Sequence, residues 1–314
     1  MDRTEYQLFC DRVDVPVFLQ PWWLDSAAGP DHWRALTGRL PGSQDIAGIM
    51  PVCLRRKLGI TYIGMPPATP FLGPWLDYPE GLKPQRRYHF ERSVLDELIR
   101  QMPPVPYLRY KCHYALQDGL PFHWAGYRNT LRYTYLLDIR DLAEVQAQMS
   151  PNIRRDIRQA ERALVLADDQ PAERFYETMI LSFTRQQLPA PFSLAWFLEM
   201  DHALSRHGAG KKLFALDQQG RIHSVAYLIW DQHSAYFWLA GDDPQLRQSG
   251  SGIWLCWQTI VYARQRGLAT FDFAGSMAKN IAIVRQRFGA RQQGYYQFER
   301  FGGGPLGRAA RWLL

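Results

Sequence analysis

The residues with the clearest chemical potential lie in a polar, glycine-rich loop that spans Gly241 to Gly252. A strand is predicted before this loop, over Ala235 to Ala240, and a helix after it, over Gly252 to Arg266. The first turn of a helix presents unpaired backbone N–H groups and a positive dipole end, so it can hold a pyrophosphate. Glycines let the backbone approach such an anion, and serines add hydroxyl donors. The residues predicted to bind the anion are Arg247, Gln248, Ser249, Gly250, Ser251 and Gly252.

Two better-known phosphate loops do not fit this stretch. A dinucleotide fingerprint needs a third glycine where Leu255 stands, and a P-loop needs Gly-Lys-Ser or Gly-Lys-Thr. An ordinary helix start with a serine N-cap and a flexible entry also accounts for the pattern. The motif taken alone therefore leaves both interpretations open.

The composition is that of a globular protein with a basic surface. Of 314 residues, 46% are hydrophobic and 21% charged, which supplies buried cores and excludes disorder. The length favours two domains. A net charge of +7 favours a nucleotide cofactor, an RNA or a phosphorylated lipid, and a basic surface without a specific partner explains it equally well.

Metal, disulfide and membrane-spanning functions are not expected. The four cysteines and eight histidines show no metal-ligand spacing, so no metal is predicted and the cysteines are expected to be reduced. No apolar run approaches the roughly 18 residues that span a bilayer, and the N-terminus lacks the order of a secretory signal. We therefore expect a cytoplasmic protein without a transmembrane segment.

The predicted elements that must position the loop occur in the same order in both halves of the chain. One long helix is predicted from Asp141 to Arg162, at the start of the second half. Each half closes with a glycine turn before its last strand, at residues 124–128 and 287–291. The fold class predicted is α/β with a mixed sheet, in two domains at residues 1–140 and 141–314. The predicted strands are 46–54, 61–63, 107–113, 131–139, 212–217, 223–230, 235–240, 269–274 and 294–299, and the other helices are 21–33, 84–101, 172–187, 194–207, 252–266 and 280–287.

The spacing Arg247-x-x-Gly250-x-Gly252 resembles the pyrophosphate loop of GNAT acyltransferases, and the order of elements around it is similar to theirs. The segments at residues 150–161 and 271–276 look like those of Fem-type peptidyltransferase-like proteins, which consist of tandem GNAT-like domains. The best-known members of that family transfer amino acids from aminoacyl-tRNA to peptidoglycan precursors, and other members are proposed acyl-CoA transferases. This chain differs from the best-known members because it has no obvious long charged helical-hairpin insertion. The resemblance implies two tandem GNAT-like domains, with a donor loop in the second and none in the first.

The resemblance also implies roles for single residues. Amine acylation needs a polarised donor carbonyl and an acceptor for the amine proton. Backbone N–H groups near Ala240 and Gly241 are expected to polarise the carbonyl. Asp272, in a short apolar strand, is the first candidate for the base, although capping a helix or pairing with Arg285 accounts for it equally. Tyr295 is the candidate for a second catalytic residue, with a core position as its alternative. Trp238, Tyr236 and Ser276 are expected to line the acceptor site, with core packing as the alternative for the two aromatic residues and an N-cap position for Ser276. Arg154 and Arg155 are expected to bind a phosphate on the donor or the acceptor, and a solvated helix face explains them as well.

The activity expected from these residues is acyl-CoA-dependent N-acyl transfer to a small amine or amino-sugar-type acceptor, by direct transfer from acetyl-CoA or another acyl-CoA and without a metal. The alternatives are a Fem-type transferase that uses aminoacyl-tRNA, and a GNAT-like binding protein without catalysis. DNA is not an expected partner, whereas tRNA is one under the second hypothesis. The sequence does not predict the acceptor, the acyl group or the oligomeric state.

Overall fold

The computed structural model describes residues 3–275, 277–303 and 307. The chain packs as two compact units, of which the first runs to Arg132 and takes in the chain from Gly294 onward, and the second spans Tyr133–Gln293. Both units are mixtures of helices and strands, so the fold is mixed α/β. The domain boundary expected between residues 140 and 141 stays a prediction beside this division by packing.

The first unit is built around a sheet in the order β1-β2-β3-β5-β12, in which β3 and β5 are parallel and the other neighbours antiparallel. A short strand, β4, pairs with β2. Three apolar residues of helix α3, Val94, Leu95 and Leu98, are fully buried. The elements of this unit are α1 (Arg3–Arg12), α2 (Pro21–Ala28), β1 (Trp33–Arg39), β2 (Ile46–Lys57), β3 (Ile60–Gly64), β4 (Trp75–Leu76), α3 (Pro84–Arg100), β5 (Tyr107–Lys111), α4 (Leu120–Trp124) and the later part of β12 (Arg291–Phe301).

The second unit contains a sheet in the order β6-β11-β10-β9-β8-β7, in which only β10 and β11 are parallel. Strand β6 (Arg128–Asp138) enters this unit at Tyr133. The other elements are α5 (Leu142–Gln148), α6 (Pro151–Ala163), β7 (Val165–Ala167), α7 (Ala172–Arg185), α8 (Leu194–Arg206), β8 (Gly210–Leu216), β9 (Ile222–Trp230), β10 (Ser234–Asp242), α9 (Ser251–Gln265), β11 (Thr270–Asp272) and α10 (Lys279–Arg287).

Helices cover both faces of the second unit's sheet. On one face Ile157 of α6 and Ile260 of α9 belong to one apolar core with Leu228 and Phe271. On the other face Phe175 of α7 stacks on Phe197 of α8, with ring centres 5.4 Å apart. Strand β9 is buried at every position, as expected for a central strand with both faces covered. The sheet is therefore a rigid support for the loop that follows β10.

The long helix predicted from Asp141 to Arg162 is wrong, because the chain forms two helices there. The break falls at Ser150, which is extended, with φ −63° and ψ 151°. Pro151 follows it, and the ring of a proline disfavours helical geometry in the preceding residue. The helix predicted over residues 21–33 likewise ends at Ala28, since Gly29 adopts φ 93°. Helix α1 and strand β1 were not predicted.

The closing turns of the two halves are alike, as the sequence indicated. Gly126 follows the short helix α4 with φ 81°, and Gly289 follows α10 with φ 86°. A left-handed residue at this position ends a helix without a Cβ penalty. Strands β6 and β12 begin soon after these glycines, which supports the inference of a tandem repeat.

Candidate functional site

An open cavity of about 560 Å³ lies in the second unit, where β10 and β11 separate. The two strands are paired only from Ser234 to Tyr236 on β10, whereas β10 continues to Asp242. We call this space the β10–β11 cavity. Its lining comes from α7, β9, β10, the loop after β10, α9 and α10. The lining residues used below are Arg185, Phe237, Ala240, Gly241, Asp242, Arg247, Gly250, Gly252, Phe273 and Arg285.

The separation leaves backbone groups of β10 free on the cavity side. The amide of Asp243 donates to the carbonyl of His223 on β9, at 2.9 Å. Because amides alternate in direction along an antiparallel pair, those of Ala240 and Asp242 point away from β9. A bulge between Phe237 and Leu239 bends the strand just before them. The Ala240 amide is thus placed to donate to a ligand carbonyl.

Gly241 has a packing role at the same point. A Cβ on this residue would lie 2.4 Å from the Cα of Met179 on α7. The helix can approach the strand only because no side chain is present, and this close approach forms one wall of the cavity.

The start of α9 faces the cavity as a bare helix N-terminus. Gly250 is its N-cap with φ 76°, and no side chain caps the helix. The 15-residue helix therefore offers its first amides and its positive dipole end to the cavity. Ser251 does not contribute its hydroxyl, because it is fully buried and hydrogen-bonded to Ser224. The Ser249 hydroxyl is likewise occupied by the Leu246 carbonyl and by His223, each at 2.9 Å.

Charged side chains at the cavity have mixed signs. Arg247 and Arg185 are exposed lining residues, and neither forms an ion pair within the described part of the chain. The Arg285 guanidinium lies 4.5 Å from the ring centre of Phe273, and burial lowers its pKa. Asp242 is the opposing charge: its carboxylate accepts from the Ser224 hydroxyl at 2.6 Å. Gln248 is exposed and does not line the cavity.

Asp272 is fully buried and does not line the cavity. Its Oδ1 accepts from the Thr134 hydroxyl and from the Ala274 amide, the latter at 2.8 Å. The Thr134 hydroxyl in turn accepts from the Gly275 amide. The Oδ2 of Asp272 has no hydrogen-bond partner, and burial raises the pKa of this carboxyl group to about 6. The bonds hold the turn after β11, where Ala274 and Gly275 both have positive φ.

The second unit and the overall fold both resemble known proteins. A family model described as an acetyltransferase (GNAT) domain matches residues 147–280. The fold is similar to that of FemX, with a TM-score of 0.70, 13% identity and 98% of both chains covered. It is also similar to L-PGS from Bacillus licheniformis, with a TM-score of 0.56, 11% identity and 99% of this chain and 97% of that chain covered. A tandem GNAT protein from the clavulanic acid biosynthesis pathway gives a TM-score of 0.51 at 11% identity, over 84% of this chain and 82% of that chain. No curated protein matches the sequence.

The chain has the Fem-like tandem GNAT fold. Its GNAT domain makes it an acyltransferase, and that domain holds the β10–β11 cavity. The glycine loop between Asp242 and α9 lies within the matched residues, so the motif and the family match agree.

Tyr236 and Trp238, which were predicted to contact the substrate, do not line the β10–β11 cavity. Tyr236 is buried and donates to Asp231 at 2.7 Å. Trp238 packs edge-on against Tyr227, with ring centres 5.2 Å apart. Tyr295 is buried in β12 and belongs to the first unit. Ser276 lies outside the described residues. Their predicted roles stay predictions.

The two arginines at the start of α6 make local contacts in the GNAT domain. Arg154 donates to the carbonyls of Gln146 and Ala147, at 3.1 and 3.2 Å, and so satisfies the end of α5. Arg155 pairs with Asp156 at 3.1 Å on the surface. These contacts favour the structural alternative that the sequence left open.

Three charged residues of the cavity lining, Asp242, Arg185 and Arg285, were not assigned a role from the sequence. Asp242 ends the observed strand β10, and its position inside the glycine-rich loop, two residues after the predicted strand, was a usable signal. Arg185 ends α7 and Arg285 belongs to α10, so both reach the cavity through tertiary packing alone. Within the described residues no cluster of metal-ligating side chains occurs, and no helix is long and apolar enough to cross a membrane.

Proposed function

We propose that the chain is an acyl-CoA-dependent N-acyltransferase that binds its donor in the β10–β11 cavity and transfers the acyl group directly to a small amine or amino-sugar-type acceptor. The observation that carries the proposal is the bare N-terminus of α9 at the wall of an open cavity, next to the free amide of Ala240. The acyl-CoA supplies an activated acyl group. The protein supplies positioning and hydrogen bonds.

The residues present fit the donor's pyrophosphate. A side chain at Gly250 would bring its Cβ to 3.0 Å from the Asp156 carbonyl, and one at Gly252 would lie 2.6 Å from an Asp242 oxygen. The two glycines therefore pack closely against Asp156 and Asp242, and they leave the loop without side chains at the point where its amides are proposed to bind the anion. Arg247 stands at the same loop and can add a charge-assisted hydrogen bond.

The Ala240 amide has a second role in the proposal. A donor whose pyrophosphate sits at α9 runs between the separated strands, so its carbonyl reaches the free edge of β10. An amide held by the sheet is a preorganised donor to an oxygen that gains negative charge during transfer. We assign this oxygen-binding role to Ala240, and to Gly241 the close packing that fixes the strand.

The hydrogen bonds of Asp272 support a structural role that the sequence did not predict, because their donors are Thr134 and Ala274 and not a helix end or Arg285. The carboxylate anchors the turn between β11 and α10 through Thr134 and Ala274. We propose that it is a positioning residue, which holds α10 and its cavity-lining Arg285 in place. Tyr295 receives no further role in this proposal.

A second candidate donor is aminoacyl-tRNA. The overall similarity to FemX and the net charge of +7 favour it. Asp242 favours it as well, since a carboxylate beside Gly252 opposes a pyrophosphate at the start of α9. The two hypotheses predict different effects of removing Arg247, because CoA carries a pyrophosphate that the loop would bind directly, whereas the phosphates of tRNA are distributed along its backbone.

The test is calorimetric titration of the full chain with acetyl-CoA. We expect saturable binding that Arg247→Gln weakens about tenfold, the loss of one charge-assisted contact. Arg162→Gln is the matched control, because it removes the same charge from the exposed end of α6. Acetyl-CoA that fails to bind the parent, while aminoacyl-tRNA binds and is consumed by transfer to an amine, would replace this proposal with the second candidate.

A further inference from the structure

A second cavity, of about 300 Å³, lies in the first unit and is lined by an unusual concentration of cations. The cations come from β2, β5 and β6, which are far apart in the sequence. We call this space the basic pocket. Its lining residues are Arg55, Tyr62, Gly64, Met65, Arg109, Lys111, Arg132 and Gln297.

Strand geometry explains why these side chains meet. Arg109 and Lys111 are two residues apart on β5, so both project from the same face of the sheet. Arg55 pairs with Tyr62 across β2 and β3, and Gln297 pairs with Lys111 across β12 and β5. Side chains of directly paired residues lie on the same face.

The positive charges of the basic pocket are not neutralised by acids. None of its four cations forms an ion pair with a described residue. Arg55 donates to the Met65 carbonyl at 3.1 Å, which fixes its position without cancelling its charge. The Nε of Arg132 is buried and lacks a hydrogen-bond partner. One acid lies beside the pocket: Glu299 is paired with Arg109 across the strands and accepts from the Gln297 amide at 3.0 Å, yet it does not line the cavity.

The pKa of Lys111 reflects its burial and the repulsion among these positive charges. Burial, together with the charges of Arg132 and Arg109, lowers its pKa to about 8. A fold gains nothing from crowding like charges around a half-buried lysine, so an anionic ligand is the simplest reason for the cluster.

We propose that the basic pocket binds the phosphate group of a small phosphate-bearing molecule, at a site separate from the β10–β11 cavity. A phosphate carries up to two negative charges and several acceptor oxygens, which matches several converging cations better than one carboxylate does. Gln297 and the Tyr62 hydroxyl add neutral donors to the same cavity. This phosphate site is additional to the proposed acyl transfer, and its binding of phosphate does not depend on which donor that reaction uses.

The arrangement favours a small molecule over RNA. A protein follows a nucleic-acid backbone with a groove or stripe of cations, because phosphates repeat along the strand. Here the cations converge on one cavity between neighbouring strands. The pocket therefore fits one phosphate group and a part of the molecule that carries it.

The test is calorimetric titration with inorganic pyrophosphate of the full chain carrying Arg247→Gln, which weakens the proposed anion site at α9. Into this parent we introduce Lys111→Gln or Arg132→Gln. Each is expected to weaken pyrophosphate binding about tenfold, the effect of losing one charge-assisted contact. The matched control is Arg56→Gln: Arg56 is exposed and neighbours Arg55 on β2, but projects from the opposite face. It is expected to leave the affinity unchanged.

Thermal unfolding separates a lost site from a lost fold. The Lys111→Gln protein is expected to unfold at or above the parent's temperature, because one of several like charges is gone. Equal pyrophosphate affinity in the Lys111, Arg132 and Arg56 variants would overturn the proposal. A second result would also overturn it: total tRNA binds in a way that depends on Lys111 and Arg132, while pyrophosphate does not bind at all. The pocket would then be an RNA contact.

Two further probes identify the source of the phosphate. Glycerol 3-phosphate represents a soluble ligand, and vesicles of phosphatidylcholine with phosphatidic acid represent a lipid headgroup. Binding of either one, with loss in the Lys111 and Arg132 variants, supports the proposal and assigns the source.

Discussion

The β10–β11 cavity and the basic pocket are both suited to anions, but different chemical groups supply the positive potential in each. In the cavity, the attraction comes mainly from backbone amides at the start of α9, and the cavity tolerates an acid, Asp242, in its lining. In the basic pocket it comes from four side-chain cations on one sheet face. Helix amides carry no net charge, so gathering them costs the fold little, whereas gathering cations is opposed by their repulsion. Mutations in the two regions are therefore expected to differ in their effects on stability and on anion binding.

The largest expected effect is on the packing of the cavity. Gly241→Ala places a Cβ 2.4 Å from the backbone of Met179, which cannot move without shifting α7. We expect a loss of at least about 3 kcal/mol in the free energy of unfolding, measured with chemical denaturant. In the basic pocket, the Cβ of Gly64→Ala meets side chains alone, the ring of Tyr62 at 2.9 Å and the Cδ of Arg55 at 3.5 Å, and the Tyr62 ring can turn away. That variant is expected to lose less than about 1 kcal/mol. Equal losses would remove this contrast between the regions.

The next effect concerns the buried acid next to the cavity. The pKa of Asp272 is raised by burial to about 6, above the ordinary 3.8. Its protonated form is therefore favoured by folding, and the stability it contributes is full below pH 4 and is lost as the pH rises through 6. The loss is on the order of 2 to 3 kcal/mol. The stability of the parent relative to Asp272→Asn should fall over this range in denaturant titrations at several pH values. A difference independent of pH would contradict the assignment.

A smaller effect tests the cost of the cations. Lys111→Met is expected to raise the melting temperature of the ligand-free protein by a few degrees and to weaken anion binding about tenfold. Scanning calorimetry with and without sulfate measures both. A variant that melts lower without a ligand and keeps its sulfate affinity would show that Lys111 is an ordinary structural residue.

The same lysine predicts a pH dependence for the pocket. Its pKa is about 8, and a bound anion prefers the protonated form, so sulfate affinity should be constant below pH 7 and fall as the pH rises through 8. Sulfate keeps its charge over this range. The groups that face Lys111 are Arg55, Arg109 and Arg132, with Glu299, Tyr62 and Tyr107 beside them. Lys111→Met should abolish the dependence, and its persistence in that variant would assign it to another group.

The smallest effect concerns the acid of the cavity. Asp242→Asn keeps the shape of the side chain and removes its negative charge beside Gly252. Acetyl-CoA is then expected to bind about threefold more tightly, a modest gain in partly solvated surroundings. Calorimetric titration measures the change, and weaker binding would mean that Asp242 contacts the donor through hydrogen bonds instead.

A region could be predicted from the sequence where its residues are adjacent in the chain. The loop before α9 is contiguous, so the order of its glycines and Arg247 along the chain was enough to predict a helix N-terminus there, whereas the anion site stays a prediction. The tandem fold was predictable for a similar reason, because each half repeats a glycine turn before its closing strand. Both signals are local, and local signals are visible in the linear order of residues.

The basic pocket left no such signal. Arg55, Lys111 and Arg132 become neighbours only through strand order and register, which are set by long-range pairing. The same limit applies to Arg185 and Arg285 in the cavity. It also applies to Asp272, whose hydrogen bond to Thr134 joins β11 to β6. The break at Ser150 has a different explanation, because Pro151 is a local signal. The apolar periodicity of α5 and α6 outweighed it in the prediction of one long helix.

The most direct test of the central claim is residue-resolved hydrogen exchange with and without acetyl-CoA. The proposed donor site consists of the amides of Ser251, Gly252 and Ile253 at the start of α9, and of that of Ala240 on β10. Their exchange should slow when acetyl-CoA is added, while the amides of β3 and β5 beside the basic pocket should not change. Unchanged exchange at the start of α9 and at Ala240, under conditions where acetyl-CoA is bound, would contradict the claim.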